Sequence, residues 1–222
     1  VGRNLLRDYK ICASIIANDP ELIRRQEPEV DLWEVRMDLI GRDWPQLSGI
    51  LAKPWIACNR SPREGGQGPQ DEKIRLLELI RGIEAGAAIV DIELAAEGLQ
   101  KIVQLSRNTA KVLVSYHNFS ETPAYGDLAD IVKRQIESGA DICKVVTTAH
   151  SVSDNITILR LVNEFKNVAI VAFAMGKEGH LSRVLAPLAG AEFTYASLGT
   201  GLEAASGQLT VSELRAIMKL TG

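Results

Sequence analysis

The chain has 222 residues, 46% of them hydrophobic and 24% charged, with a formal net charge of −3. That length holds one large globular domain or two small ones, and the acidic balance lacks the basic field that a nucleic-acid partner requires. No apolar run is long enough to span a bilayer, and residues 1–10 are polar and mixed rather than patterned as a signal peptide, so a cytoplasmic protein without membrane contact is expected.

Residues 11–16 form a short β-type run. Asp19 can cap, and Pro20 can open, the helix that follows. A second strand is expected at 32–39, a helical stretch at 44–52 and a third strand at 55–60. A glycine-rich loop, 64–68, leads to an amphipathic helix over 71–85 whose apolar positions are at or near Ile74, Leu77, Ile80 and Ile83. Further strands are expected at 88–94, 111–117, 141–146, 168–175 and 193–198. Helices are expected between and after them, at 96–107, 128–137, 154–165, 181–188 and 212–220. Cys12, Cys58 and Cys143 all fall in the strand-like runs without zinc-ligand spacing, and are read as buried reduced thiols.

This is strand then helix, eight times over. No Pro/Ser-rich linker or low-complexity block interrupts it, so one domain over 1–222 is expected, with 1–10 as a short amino-terminal segment. The alternation implies a parallel sheet covered by helices, and eight units in this length are the count of an α/β (β/α)8 TIM barrel. An open doubly wound sheet is the alternative. It requires a phosphate fingerprint after the first strand, and Ala17-Asn18-Asp19 offers none.

Side chains alternate along a strand. Glu34, Arg36 and Asp38 share one face of the second strand, opposite Trp33, Val35 and Met37. Asp91 and Glu93 oppose Val90, Ile92 and Leu94. Cys58 shares a face with Arg60, and Ser115 with His117. Buried charge must pair or meet a polar ligand. In a barrel the ligand site lies at the carboxyl ends of the strands, where Arg60, His117 and Met175 stand. For Asp91 and Glu93 a structural ion network on the barrel floor is preferred to catalysis. Lys144 sits between Cys143 and Val145, where its charged form is disfavoured. Its pKa is therefore expected to fall, freeing a nucleophilic amine. A histidine and a lysine on neighbouring strands suggest imine chemistry. His150, His180 and Lys177 are read as solvated loop groups.

Six stretches then carry a resemblance over nearly the whole chain: 34–38 (Glu-Val-Arg-Met-Asp), 60–66, 115–119 (Ser-Tyr-His-Asn-Phe), 144–146, 173–183 and 206–208. In this order they resemble the type I 3-dehydroquinate dehydratases of the shikimate pathway. The resemblance implies dehydration of 3-dehydroquinate to 3-dehydroshikimate without a metal or cofactor. Lys144 would form an imine with the ring ketone and His117 would move the protons. Glu64 would hold the imidazole and raise its basicity. Arg183 would clamp the substrate carboxylate. Glu34, Arg36, Arg60 and Gln208 would bind ring hydroxyls or orient the site, and Met175 would form an apolar wall. Residues 199–208 would close as a lid bringing in Gln208. The chain departs from the family at Ala204, where a serine is common. Ser206, where a proline is common, is the candidate to take over its contact. A homodimer is also implied, as is an amino-terminal plug under the barrel. The alternative is another imine-forming barrel lyase, such as an aldolase on a sugar phosphate. Only Gly199-Thr200-Gly201 offers a phosphate cradle, and Arg183 with a glutamine-bearing lid suits a carboxylate and hydroxyls better.

Overall fold

Short runs of β-branched and small apolar residues form the strands, and the segments between them carry apolar residues at helical spacing. The computed structural model describes residues 9–68 and 71–221. The strands are β1 (Ile11–Ile15), β2 (Leu32–Arg36), β3 (Trp55–Cys58), β4 (Ile89–Glu93), β5 (Lys111–His117), β6 (Ile142–Thr148), β7 (Ile170–Met175) and β8 (Thr194–Ser197). The helices are α1 (Pro20–Gln26), α2 (Met37–Ile40), α3 (Pro45–Ser48), α4 (Glu72–Glu84), α5 (Leu99–Ser106), α6 (Tyr125–Glu137), α7 (Asp154–Glu164), α8 (His180–Ala189) and α9 (Val211–Thr221). The strands pair in parallel in the order β7-β6-β5-β4-β3-β2-β1-β8. The sheet curls until Glu192, just ahead of β8, donates its N–H to the Ile170 carbonyl of β7 at 2.8 Å. This is the expected (β/α)8 barrel, nearly closed.

The interior is layered by the two-residue repeat of a strand. Cys12, Leu32, Ile56, Ile89, Leu113, Ile142, Val171 and Phe193 form an apolar floor. Two residues further along each strand stand Ser14, Glu34, Cys58, Asp91, Ser115, Lys144, Phe173 and Tyr195. One step along the barrel axis therefore changes a hydrophobic layer into a largely polar, ionisable one. Separate apolar clusters fill the space between the sheet's outer face and the helices. Among the described residues, no helix is long and apolar enough to cross a membrane.

Three local expectations need correction. The second strand stops at Arg36, not Leu39, because the chain turns into α2 at Met37. Asp38 then folds back to grip the Arg36 guanidinium at 2.9 and 2.7 Å, instead of continuing the strand face. The helical stretch expected at 44–52 shrinks to the single turn of α3. On α4 the inward stripe is Arg75, Leu76, Leu79 and Gly82, with the expected Ile80 and Ile83 packed beside it, whereas Ile74 and Leu77 are 50% and 56% exposed. Gly82 explains the rotation. A Cβ there would lie 2.7 Å from both the Ala57 Cβ and the Met37 Cε, so the bare backbone of that face packs onto the sheet. The expected amino-terminal plug lies outside the described residues, apart from Tyr9 and Lys10.

Candidate active site

Lys144 projects from the middle of β6 into the polar layer. Its Nζ donates to Asp91 Oδ2 at 2.9 Å, to the Tyr195 hydroxyl at 3.1 Å and to Glu34 Oε1 at 3.5 Å. It also lies 4.3 Å from the centroid of the Tyr195 ring. Each carboxylate is held from behind. Glu34 accepts from Ser14 Oγ at 2.8 Å. Asp91 accepts from Ser115 Oγ at 2.7 Å and from Arg60 at 2.6 Å. Arg60 is spent on Asp91, Glu93 and Ser115, so it orients its neighbours. Burial pushes the Lys144 ammonium down, but Asp91 and Glu34 more than offset it and its pKa is raised. The expected fall of that pKa is thus corrected by the groups facing it. Burial pushes the Asp91 carboxyl up, yet Arg60 and Lys144 hold it well below the usual carboxylate range.

His117 ends β5, two residues beyond Ser115, whose register partner on β6 is Lys144. Its Nδ1 lies 2.7 Å from Glu64 Oε2, which also accepts the His117 backbone N–H at 3.1 Å. Glu64 is placed by a single 3-10 turn after β3, Pro62–Glu64, which Ser61 caps by accepting from the Arg63 N–H. Gly65 follows at φ +80°. A Cβ there would come 2.4 Å from the Phe119 ring, and that ring stacks on the His117 imidazole at 6.2 Å. Burial, then the Arg60 and Lys144 charges, pushes the His117 pKa well below its ordinary value. The expected rise in its basicity is therefore not the net outcome: desolvation and the Arg60 and Lys144 charges outweigh the upward pull of Asp91. The Glu64 carboxylate yields instead. Burial pushes Glu64 up to about 7 against the pull of Arg60.

Across the cavity, Arg183 turns inward from α8 and is fully buried. Its NH2 donates to the Ser206 carbonyl at 3.2 Å and its guanidinium lies 4.3 Å over the Phe173 ring. Among the described residues no carboxylate pairs with it, and Nε has no partner. Burial alone pushes its pKa down to about 9. Gln208 spans the mouth, accepting from the Ala204 N–H at 2.7 Å and donating to Ser14 Oγ at 3.2 Å.

Lys144, His117, Arg183 and Gln208 border one cavity of about 260 Å³ at the carboxyl ends of the strands. Glu34, Arg36, Arg60, Glu64, His117, Lys144, Met175, Arg183, Ser206 and Gln208, the residues singled out from the sequence, all line it. Lys177, His150 and His180 are not in its lining. Ser14, Phe173 and Tyr195 also line it and were missed, although strand alternation places each in the inner layer. Asp91 and Glu93 do stand in an ion network with Arg60 and Arg75, but Asp91 lies one layer above the expected floor and bonds Lys144 directly. Glu34, Cys58 and Asp91 bring three donor atoms within 4.8 Å of one another. Both carboxylates already carry the Lys144 ammonium, so this set is poorly suited to a metal cation.

A barrel that gathers ionisable side chains in one cavity at its carboxyl-end face defines an enzyme acting on a small molecule. The family model for type I 3-dehydroquinase matches residues 11–222. A 3-dehydroquinate dehydratase of Dehalococcoides mccartyi is 42% identical over 212 residues, 94% of either chain. One from Thermococcus onnurineus is 40% identical over 196 residues, covering 87% of this chain and 89% of that one. The crystal structure of 3-dehydroquinate dehydratase from Geobacillus kaustophilus matches with a TM-score of 0.85 at 26% identity, over 96% of this chain and 90% of that one. The chain belongs to the type I 3-dehydroquinase family, a family of hydro-lyases, and has its 3-dehydroquinate dehydratase activity.

Proposed function

We propose that the dehydration runs through an imine between Lys144 and the ring ketone of 3-dehydroquinate, giving 3-dehydroshikimate. One observation carries this reading: a buried lysine borders the same cavity as a buried arginine that has no carboxylate partner among the described residues. The guanidinium matches the substrate carboxylate, which leaves the lysine for the ketone. Lys144 gives up its ammonium proton and adds to the carbonyl carbon, and the carbonyl oxygen leaves as water with that proton and one amine hydrogen. The resulting iminium is an electron sink, so the adjacent C–H becomes acidic. His117 takes that proton and gives it to the departing hydroxyl, which leaves as a second water. Hydrolysis of the conjugated iminium consumes one water and returns Lys144. Reduction with borohydride in the presence of 3-dehydroquinate, followed by intact mass, tests this. An adduct on Lys144 is expected, and none would overturn the reading.

Glu64 gives the histidine its direction. Ionised, it accepts Nδ1–H and leaves Nε2 free to take a proton. Protonated, it donates to Nδ1, so Nε2 carries the hydrogen and the base is lost. Turnover number is therefore expected to fall as pH drops through about 7, the value to which burial pushes Glu64. Glu64→Gln keeps an acceptor but cannot ionise. Its kcat will be lower, and flat across that range. A kcat profile that keeps the limb in the variant would assign the limb to another group.

Arg183→Met separates binding from stability. Losing a charge-assisted contact to the carboxylate will raise KM by roughly 10- to 100-fold. Removing a buried cation that has no carboxylate partner among the described residues will at the same time raise the melting temperature, because the Ser206 carbonyl and the Phe173 ring offset only part of its desolvation. Steady-state kinetics and thermal unfolding read the two effects. A melting temperature that falls would show that the Ser206 and Phe173 contacts outweigh that desolvation.

Residues 199–208 serve in this reading as the lid, with Gln208 and Ser206 meeting the substrate beside Glu34 and Arg36. Met175 packs on the ring. The same proposal includes a single domain over the chain, a cytoplasmic setting that suits its three buried free cysteines, and a homodimer. Exposed Ile156 on α7 and Leu181 on α8 offer apolar surface for association, and mass by light scattering decides it.

A further inference from the structure

A row of alternating charges leads from the protein surface to the nucleophile. Glu72, part-exposed at the start of α4, holds Arg75 through two contacts, Oε1 to NH2 at 2.7 Å and Oε2 to Nε at 2.8 Å. Arg75 is fully buried, although it belongs to a helix outside the barrel. Its NH1 donates to the Asn59 carbonyl at 2.9 Å and lies 2.8 Å from Glu93 Oε2. The other oxygen of Glu93 accepts from Arg60 at 3.0 Å and from the Ser61 N–H at 2.9 Å. Arg60 then reaches Asp91 at 2.6 Å, and Asp91 reaches Lys144 Nζ at 2.9 Å. Each link is buried or part-buried, where charge interactions are screened far less than at the surface.

We infer that Arg75 is a positioning residue for the nucleophile: by sharing Glu93 it leaves Arg60 free to hold Asp91, and so sets the pH at which Lys144 can attack. The inference rests on the imine reading, since it concerns Lys144 as an amine. Groups facing that amine come from six other strands or their ends: Cys12 on β1, Glu34 on β2, Cys58 and Arg60 on and after β3, Asp91 on β4, His117 on β5 and Tyr195 on β8. Of these, Arg60 is the one joined to Arg75 through a shared carboxylate. Without Arg75, Glu93 keeps Arg60 and the Ser61 N–H and claims more of Arg60. Asp91 then presents more of its charge to Lys144, and the buried network carries one more net negative charge. Both effects stabilise the ammonium, so attack will need a higher pH. Glu72→Gln has the opposite sign. It frees Arg75 to pair with Glu93, which releases Arg60 toward Asp91 and moves the limb down.

The experiment is the rate of borohydride-trapped adduct on Lys144 against pH, for the full chain and its Arg75→Met, Arg75→Lys and Glu72→Gln variants. Arg75→Met is expected to move the rising limb up by about one pH unit, Arg75→Lys to restore most of it, and Glu72→Gln to move it down by less. General loosening of the site would move every variant the same way. Limbs that coincide with wild type, or that all shift together, overturn the inference while the wild-type adduct stands. Absence of the wild-type adduct removes the imine reading and this inference with it. If Arg75→Met fails to fold, the downward shift in Glu72→Gln decides alone, because Glu72 lies at the part-exposed end of the row.

Discussion

Lys144→Ala will lose 3-dehydroquinate turnover by roughly 10⁴-fold or more, as expected when the group that bonds to substrate is removed. The cause will be chemical and not a loss of fold. Cutting one partner from a buried ion pair costs about 3–5 kcal/mol when the other is left alone. Here neither carboxylate is left alone: Asp91 keeps Arg60 and Ser115, and Glu34 keeps Ser14. The variant will therefore melt cooperatively and still bind the substrate carboxylate at Arg183. Steady-state formation of the conjugated enone, with a melting curve as control, reads the effect. Turnover within tenfold of wild type in a folded Lys144→Ala protein would exclude the lysine as nucleophile.

His117→Ala is expected to lose about 10²- to 10⁴-fold in kcat, the usual contribution of a positioned acid–base group. It differs from the lysine variant in what accumulates. The amine is intact, so the imine forms, but the proton next to it is not removed. Borohydride will then trap an adduct that still contains the hydroxyl, one water heavier than the adduct of the product. Burial and the neighbouring Arg60 and Lys144 charges keep the wild-type imidazole neutral near pH 7, ready to accept a proton. A variant that yields the lighter adduct at the wild-type rate would show that another group takes the proton.

The barrel was legible because alternation along strands and periodicity along helices are local properties. Residue counts from Ile11 to Ser197 yield eight strands, and the two-residue step from Ile142 to Lys144 or from Leu113 to Ser115 places polar groups inward. What was not legible depends on register between strands distant in sequence. Lys144 has apolar neighbours in the chain, and from those alone its pKa should fall. The groups that decide it, Asp91 and Glu34, lie 53 and 110 residues away. The same ignorance placed the ion network of Asp91 and Glu93 on the barrel floor. Pairing Glu93 with Ser115, and Ser115 with Lys144, brings that network level with the lysine. The rotation of α4 was hidden for another reason. A hydrophobicity pattern ranks Ile74 and Leu77 above Gly82, yet close approach rewards the residue with no side chain.

The loop after β8 shows what such bare contacts permit. Gly207, at φ +73°, sits where a Cβ would come 2.5 Å from the Gly176 carbonyl oxygen, and Gly176 in turn donates its N–H to the Ser206 carbonyl at 3.2 Å. Gln208 is steadied by the backbone N–H of Ala204, a donor that any residue but proline supplies. The resting place of this loop is therefore written in main-chain atoms. Side chains at 204 and 206 can be exchanged without dislodging it, while the glycines at 176 and 207 have no such latitude.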